Sequence, residues 1–314
     1  MTLKTRLLLS VLCVFALVMP ASAQTRLNVV ASFSILGDLV REVGGDLVTV
    51  TTLVGPNGDA HVYTPSPSDA KTIADAKLVI VNGLGFEGWL PRLVKSSGGK
   101  AIIIMASDGV ALRKNGGDAD PHAWQSVINV KIYVDNIRKA LTAADPAGAD
   151  AYKANADAYL TKLDALDAEI RAAVATIPPE RRKVISSHSA FGYFADAYGI
   201  DFISPLGTST SSEASAKDIA TIIRQIKAAK IPAVFLENVS DPRLIERISA
   251  ETGAAIGGTL YSDTLTGENG DAPTYIAMAT HNIRTLTRAL AKQRRALAEK
   301  SCLKRPIPKF PSPC

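Results

Sequence analysis

Imidazole is scarce in this chain: 314 residues hold four histidines, His61, His122, His188 and His281. Thiols are scarcer. Of three cysteines, Cys13 lies in an N-terminal apolar run, and Cys302 and Cys314 lie within the last 13 residues. An even pair in an exported chain is expected to close a Cys302–Cys314 disulfide, a local staple of the tail with no catalytic role. No apolar run is long enough to cross a membrane, since the stretch at residues 7–19 has about 13 residues against the roughly 20 that a spanning helix needs. Excess charge is lacking too. Removing Lys4 and Arg6 from 35 basic residues leaves 33 against 30 acidic, a formal charge of +3, with no long basic run interleaved with aromatics, so no nucleic-acid partner is expected.

Several catalytic signatures are also absent. There is no His-Glu-x-x-His and no Gly-x-Ser-x-Gly, and Gly83-Leu84-Gly85 lacks the later glycine of a dinucleotide fingerprint. Ser187-His188-Ser189 places hydroxyls beside an imidazole, but adjacent residues of an extended strand point to opposite faces, which works against a nucleophile and base pair.

What is present begins with Lys4, Arg6, the apolar run and Pro20-Ala21-Ser22-Ala23. These are the n-region, h-region and small-residue cleavage site of a secretory signal, with the cut after Ala23. Cys13 follows Leu12 with no small residue before it, so a lipid-carrying cysteine is not expected. The expected product begins at Gln24 and is a soluble, monomeric, periplasmic protein.

About 290 mature residues exceed one ordinary core, so two domains are expected. Short apolar runs at residues 27–33, 48–54, 78–81 and 101–105 read as buried strands, with helices near 35–43 and 86–95 between them. Strand and helix alternation implies parallel sheets covered on both faces. A further helix near 126–141 precedes residues 147–177, where Tyr152, Tyr159, Leu163, Leu166, Ile170, Val174 and Ile177 form one apolar stripe at helical spacing. A helix of that length extends about 46 Å, enough to run along two lobes. Pro178-Pro179 ends it. Strands at 183–187, 201–204, 233–236 and 254–260 then alternate with helices at 190–198, 213–229, 242–252 and 275–293. One internal echo suggests two like halves: Ser32, Ser34, Gly37, Gly44 and Asp46 recur 155 residues later as Ser187, Ser189, Gly192, Gly199 and Asp201. The expected fold class is therefore α/β, two lobes each with a mainly parallel sheet and flanking helices, joined by one long rigid helix. The expected divisions are a signal at 1–23, a first lobe at 24–146, a linking helix at 147–177, a second lobe at 178–298 and a Pro-rich tail at 299–314.

Three histidines fall in loops after strands. His61 follows Gly55-Pro56-Asn57-Gly58-Asp59-Ala60, His122 follows the glycine-rich stretch at 116–121, and His188 follows the strand at 183–187. Asp263 comes within three residues of the strand at 254–260. Open α/β sheets place ligands at the carboxyl ends of strands, so these four side chains are candidates for one site. Three nitrogens and one carboxylate suit a transition metal, and among such metals the set favours tetrahedral zinc over manganese, which prefers more oxygen donors. A filled tetrahedron leaves no position for an activated water, so no enzyme activity is expected. A metal-dependent hydrolase would require Asp263 to be free of the metal. His281 lies in a helix and reads as a packing or hydrogen-bonding residue. Glu87 and Glu213 are rival oxygen ligands, each read more simply as a residue at a helix start.

Asp120-Pro121-His122-Ala123-Trp124, Ser187-His188-Ser189-Ala190-Phe191-Gly192-Tyr193-Phe194 and Ser262-Asp263-Thr264-Leu265, followed by Thr274-Tyr275 and His281-Asn282, closely resemble the zinc and manganese solute-binding proteins of bacterial ABC importers, cluster A-I, of the zinc-binding type. The resemblance runs in order along nearly all the mature chain. It implies two α/β lobes with one metal ion in the cleft between them, delivered to a membrane permease. Position by position it makes His61 and His122 the ligands of the first lobe, and His188 and Asp263 those of the second. Family members that resemble the manganese binders usually have Glu where this chain has His188, which favours Zn2+ as cargo. Many zinc members carry a long His- and Asp-rich loop before the second ligand, whereas residues 112–120 here are short and hold no His, and this leaves Mn2+ or iron as the alternative cargo.

Overall fold

The computed structural model describes residues 25–291. The signal segment with its cut after Ala23, the Pro-rich tail and the Cys302–Cys314 disulfide lie outside the described residues.

The first sheet grows around Leu27–Phe33 (β1), whose last five side chains are buried, as expected of a strand covered on both faces. It pairs in parallel with Val48–Val54 (β2) on one side and Leu78–Val81 (β3) on the other, and Ile102–Met105 (β4) completes the order β2-β1-β3-β4. Ser34–Gly44 (α1) returns from β1, and its apolar face, from Ile35 to Val43, is buried. Pro67–Ala74 (α2) was not expected from sequence. It is opened by a capping box, in which Ser66 and Asp69 bond each other's backbone, and by Pro67 in its first turn. With Ile73 its one buried residue, it has no apolar stripe to betray it. Leu90–Ser97 (α3) follows; the helix expected from residue 86 begins four residues later.

After a two-stranded hairpin, Lys114–Asn115 (β5) and Asp118–Ala119 (β6), the chain forms Val127–Ala144 (α4) and then Ala149–Ala175 (α5). At 27 residues α5 is about 40 Å long. The second sheet contains Lys183–Ile185 (β7), Asp201–Ile203 (β8), Ala233–Glu237 (β9) and Ala255–Leu260 (β10), all parallel, in the order β10-β9-β7-β8. Its helices are Gly192–Tyr198 (α6), Ala216–Ala229 (α7), Pro242–Thr252 (α8) and Tyr275–Leu290 (α9). In chain order each sheet reads second, first, third, fourth strand. The echo of residues 32–46 in 187–201 therefore joins equivalent places, the end of the first strand of each sheet and the helix after it.

The α5 stripe, Tyr152 to Val174, is buried throughout, against α1 and α4 at one end and against α6 and α9 at the other. Lobes with separate cores are the simplest expectation from sequence. Instead, one hydrophobic cluster runs from Val29 and Leu36 through Tyr152, Leu163 and Ile170 to Phe235 and Leu286. Each lobe adds a smaller cluster of its own, around Val30, Ile73 and Val79 in the first and around Ile185, Ile226 and Ile248 in the second. The long helix therefore holds the lobes as part of their shared core.

Candidate metal centre

The structure brings His61, His122, His188 and Asp263 together, with one donor atom of each within 4.8 Å of the others. His61 Nε2 lies 3.3 Å from His122 Nε2 and 3.3 Å from Asp263 Oδ2. His188 Nε2 lies 3.1 Å from Asp263 Oδ2, and His122 Nε2 lies 3.6 Å from Asp263 Oδ1. A regular tetrahedron with bonds of about 2.0–2.1 Å has edges of about 3.3–3.4 Å. Among the side chains, His61 is 4% exposed and the other three are fully buried.

Each member is placed by a different device. The turn before His61 is fixed by Asp59, whose carboxylate accepts the His61 N–H at 2.8 Å, and by Trp89, whose indole N–H donates to the Ala60 carbonyl at 2.8 Å. The Asp59 carboxylate also accepts from Thr210 of the second lobe at 2.6 Å. Asp120 Oδ1 contacts His122 Nδ1 at 2.8 Å, which turns Nε2 inward. His122 follows β6, an arm of the hairpin, rather than a strand of the first sheet as the strand-end rule implied. His188 stands three residues beyond β7. Glu237, the last residue of β9, accepts the N–H groups of Ser187 and His188 through Oε1 at 2.7 and 3.0 Å. Its Oε2 lies 2.6 Å from His188 Nδ1, an ion-pair contact out of hydrogen-bond alignment. Asp263 belongs to the second lobe but is clamped by the first. Trp124 Nε1 and Gln125 Nε2 both donate to the Ser262 carbonyl, at 2.8 and 2.6 Å, and the Leu265 N–H donates to Ser34 Oγ at 2.9 Å.

Glu87 and Glu213 stay out of the cluster, and neither begins a helix. The Glu87 carboxylate is buried and accepts from Ser32 Oγ and from the N–H groups of Asn82 and Gly83, while Gly83, Leu84 and Gly85 all adopt positive φ to wrap the chain around it. Burial raises its proton affinity against the pull of those hydrogen bonds. The turn carries Phe86, whose ring stacks edge-on against His61 and Trp124. Glu213 lines a cavity of about 580 Å³ with Asp59, Ser187 and Thr210, and the helix expected at 213 starts after Ser215, whose hydroxyl caps it. His281 is bonded to the Thr259 carbonyl at 3.1 Å, as a helix packing residue should be.

Burial alone would lower the proton affinity of His188, but Glu237 and Asp263 on either side raise it well above the ordinary histidine range. For Asp263 burial works upward, and His188 and His122 overcome it, holding the carboxyl well below its usual value. His122 is lowered by burial, against the opposing charges of Asp263 and Asp120. Among the described residues, both Asp263 oxygens and His188 Nε2 lack a hydrogen-bond partner. Unpaired buried donors and acceptors are costly, and a cation shared among them would satisfy them together. The supports Asp120 and Glu237 were not singled out from sequence. The only signals for them are an acidic residue two before His122 and another at the end of a strand.

Two parallel α/β sheets on one long helix, with a closed cluster of donors at their seam, define a two-lobed solute-binding protein. The sequence comparisons agree. Residues 29–289 match the family model described as ZnuA, zinc-uptake complex component A, periplasmic. The chain is 37% identical over 268 residues to the manganese-binding lipoprotein MntA of Halalkalibacterium halodurans, covering 85% of this chain and 89% of that one. It is 34% identical to the iron-binding protein YfeA of Yersinia pestis, covering 87% and 89%. The periplasmic zinc-binding protein TroA of Treponema pallidum superposes with a TM-score of 0.81 at 31% identity, covering 85% of this chain and all of that one. The chain belongs to the ZnuA family of metal-binding, periplasmic substrate-binding proteins of ABC importers.

Proposed function

We propose that this protein captures one divalent transition metal ion, Zn2+, through His61, His122, His188 and Asp263 in the periplasm and delivers it to the membrane permease of an ABC importer. The observation that carries the reading is the spacing of the four buried donors, 3.1 to 3.6 Å for the pairs that meet. Three imidazoles and one carboxylate suit zinc, and the affinity order of divalent metals places zinc above manganese and iron(II). Manganese or iron is the second reading, favoured by the names of MntA and YfeA. The two Asp263 oxygens could both bind and so raise the coordination number. With all four donors on the metal no position remains for an activated water, so the protein acts as a carrier and not as a hydrolase.

The working division is a first lobe at 24–146, a linking segment at 147–177 and a second lobe at 178–298. Export by the signal at 1–23, cleavage after Ala23 and a monomeric carrier complete the proposal. No helix among the described residues is long and apolar enough to cross a membrane. Metal analysis of protein purified without added metal, followed by zinc and manganese competition titrations, tests the reading. One bound equivalent with zinc preferred is expected. Absence of binding overturns the proposal, and a manganese preference replaces zinc as the cargo.

A further inference from the structure

The hairpin β5–β6 leaves the first lobe and touches the second at four places, and Arg113 at its base lies at the centre of them. Its Nη1 donates to Asp120 Oδ2 at 3.0 Å, while Asp120 Oδ1 holds His122 Nδ1 at 2.8 Å. Its Nε donates to Asp196 of α6, in the second lobe, at 3.0 Å. Its backbone N–H donates to Tyr193 Oη, also of α6, at 2.9 Å, and Asn115 Nδ2 donates to Ser189 Oγ at 2.9 Å. The fourth place is Gly192. A Cβ there would stand 2.4 Å from the Arg113 guanidinium carbon and 2.6 Å from Asp120 Oδ2, so any larger residue at the start of α6 would have to displace the guanidinium.

We propose that Arg113 is a positioning residue that couples the His122 ligand to closure of the two lobes. The inference rests on the reading of His122 as a metal ligand. A guanidinium presents donors in a fixed fork, and here one arm is aimed at each lobe. The arm on Asp120 works in a dry setting, because Asp120 is fully buried. It anchors the carboxylate that meets His122 Nδ1, and so leaves Nε2 to face the metal. The arm on Asp196 works at the surface, where Asp196 is 65% exposed. A surface pair of that kind contributes little alone, so it acts through Arg113, whose seat on Asp120 it steadies while the second lobe is closed. Removing metal frees His122 to turn. Asp120 and Arg113 then lose their register, and the hairpin loses its seat on α6. Opening the lobes undoes the same contacts in the reverse order, which loosens His122 and favours release.

The test uses the full exported chain with Zn2+ as the probe, following affinity and dissociation rate with a chelating dye. Arg113→Ala is expected to weaken binding by about 10- to 100-fold, as loss of a ligand's outer partner does. Gly192→Ala, which displaces the guanidinium without changing any charge, is expected to reproduce that loss. Arg113→Ala combined with Asp120→Asn should lose no more than Asp120→Asn alone, because the first acts through the second. Asp196→Asn should speed dissociation while leaving the ¹⁵N signature of the His122 ring unchanged, whereas Arg113→Ala should shift that signature. Melting of the metal-free variants separates these effects from misfolding, and Arg113→Lys, which keeps the charge without the fork, should fall between wild type and Arg113→Ala. Wild-type binding by Arg113→Ala, or additive losses in the double variant, overturns the inference. His122→Ala serves as the control: if it binds zinc like wild type, the ligand reading itself fails.

Discussion

Replacing Glu237 by Gln should weaken metal binding about 10- to 100-fold near pH 8, or about 1.4 to 2.7 kcal/mol, although Glu237 is not one of the four proposed ligands. The magnitude follows from where its two oxygens sit. Oε1 accepts two backbone N–H groups, from Ser187 and His188, so an amide NH2 cannot take that place. The glutamine must turn its NH2 toward His188 Nδ1, where Oε2 now lies at 2.6 Å. A donor there requires Nδ1 to be an acceptor, which moves the ring proton to Nε2, the atom aimed at Asp263 and the metal. The pH dependence gives a second signature. Glu237 and Asp263 hold His188 protonated well above the usual histidine range, and that proton must leave before metal binds, so wild-type affinity rises with pH. Without the Glu237 charge His188 holds its proton less tightly, so the deficit of the variant should shrink as pH falls from 8 to 6. Competition titration against a chelating dye at several pH values, with melting curves of the metal-free proteins, measures both effects. A variant that binds as wild type does at pH 8, or whose deficit grows in acid, would refute the reasoning.

His188→Glu should shift the ratio of zinc to manganese affinities toward manganese, because a second carboxylate adds negative charge and permits coordination above four. Parallel competition titrations at one pH check it, and an unchanged ratio would show that His188 does not set metal choice. Asp38→Asn should stabilise the protein near neutral pH. Burial, opposed by the hydrogen bond from the Tyr275 N–H and modified by Glu42, Arg41 and Lys162, raises the Asp38 carboxyl from 3.8 to about 6. A raised acid contributes stability that is fully present below about pH 4 and lost as pH rises through about 6, a difference of up to about 3 kcal/mol. Asparagine keeps an acceptor and stays neutral, so its advantage in denaturant melts should grow between pH 4 and 7; an advantage that is flat with pH would rule this out. His281→Ala should leave metal affinity within about twofold of wild type while costing about 1 kcal/mol of stability through the lost bond to Thr259. A large loss of affinity would place His281 in the site.

Much of the fold could be read locally, because some elements carry their own limits. Pro242 and Gly253 bracket α8 at the bounds expected of it, and β1, β2 and β3 match residue for residue because apolar runs set between turn residues mark buried strands. The misses share a cause. Glu87 looks like a helix start, yet its carboxylate is taken by Ser32, 55 residues away, and the chain must turn around it first. In α7 the cap is Ser215, which bonds the Asp218 N–H, so the helix opens on that Ser-x-x-Asp pairing and not at the expected 213. The four candidate ligands were legible because three of four histidines fall in loops after strands and because the surrounding motifs resemble a known family. Glu237 was not, since nothing near it in sequence announces that it will meet His188, 49 residues earlier. The Arg113 crossing was hidden in the same way, its partner Asp196 lying 83 residues further along the chain.

The most direct test of the central claim is a metal-loaded crystal measured at the absorption edge of the bound ion, so that the ion is located and identified together with its ligands. One ion per chain is predicted, bound by Nε2 of His61, His122 and His188 and by Asp263 at about 2.0–2.2 Å. An ion elsewhere, a missing histidine, or a water in the place of Asp263 would contradict the account, and the last of these would reopen the case for hydrolytic chemistry.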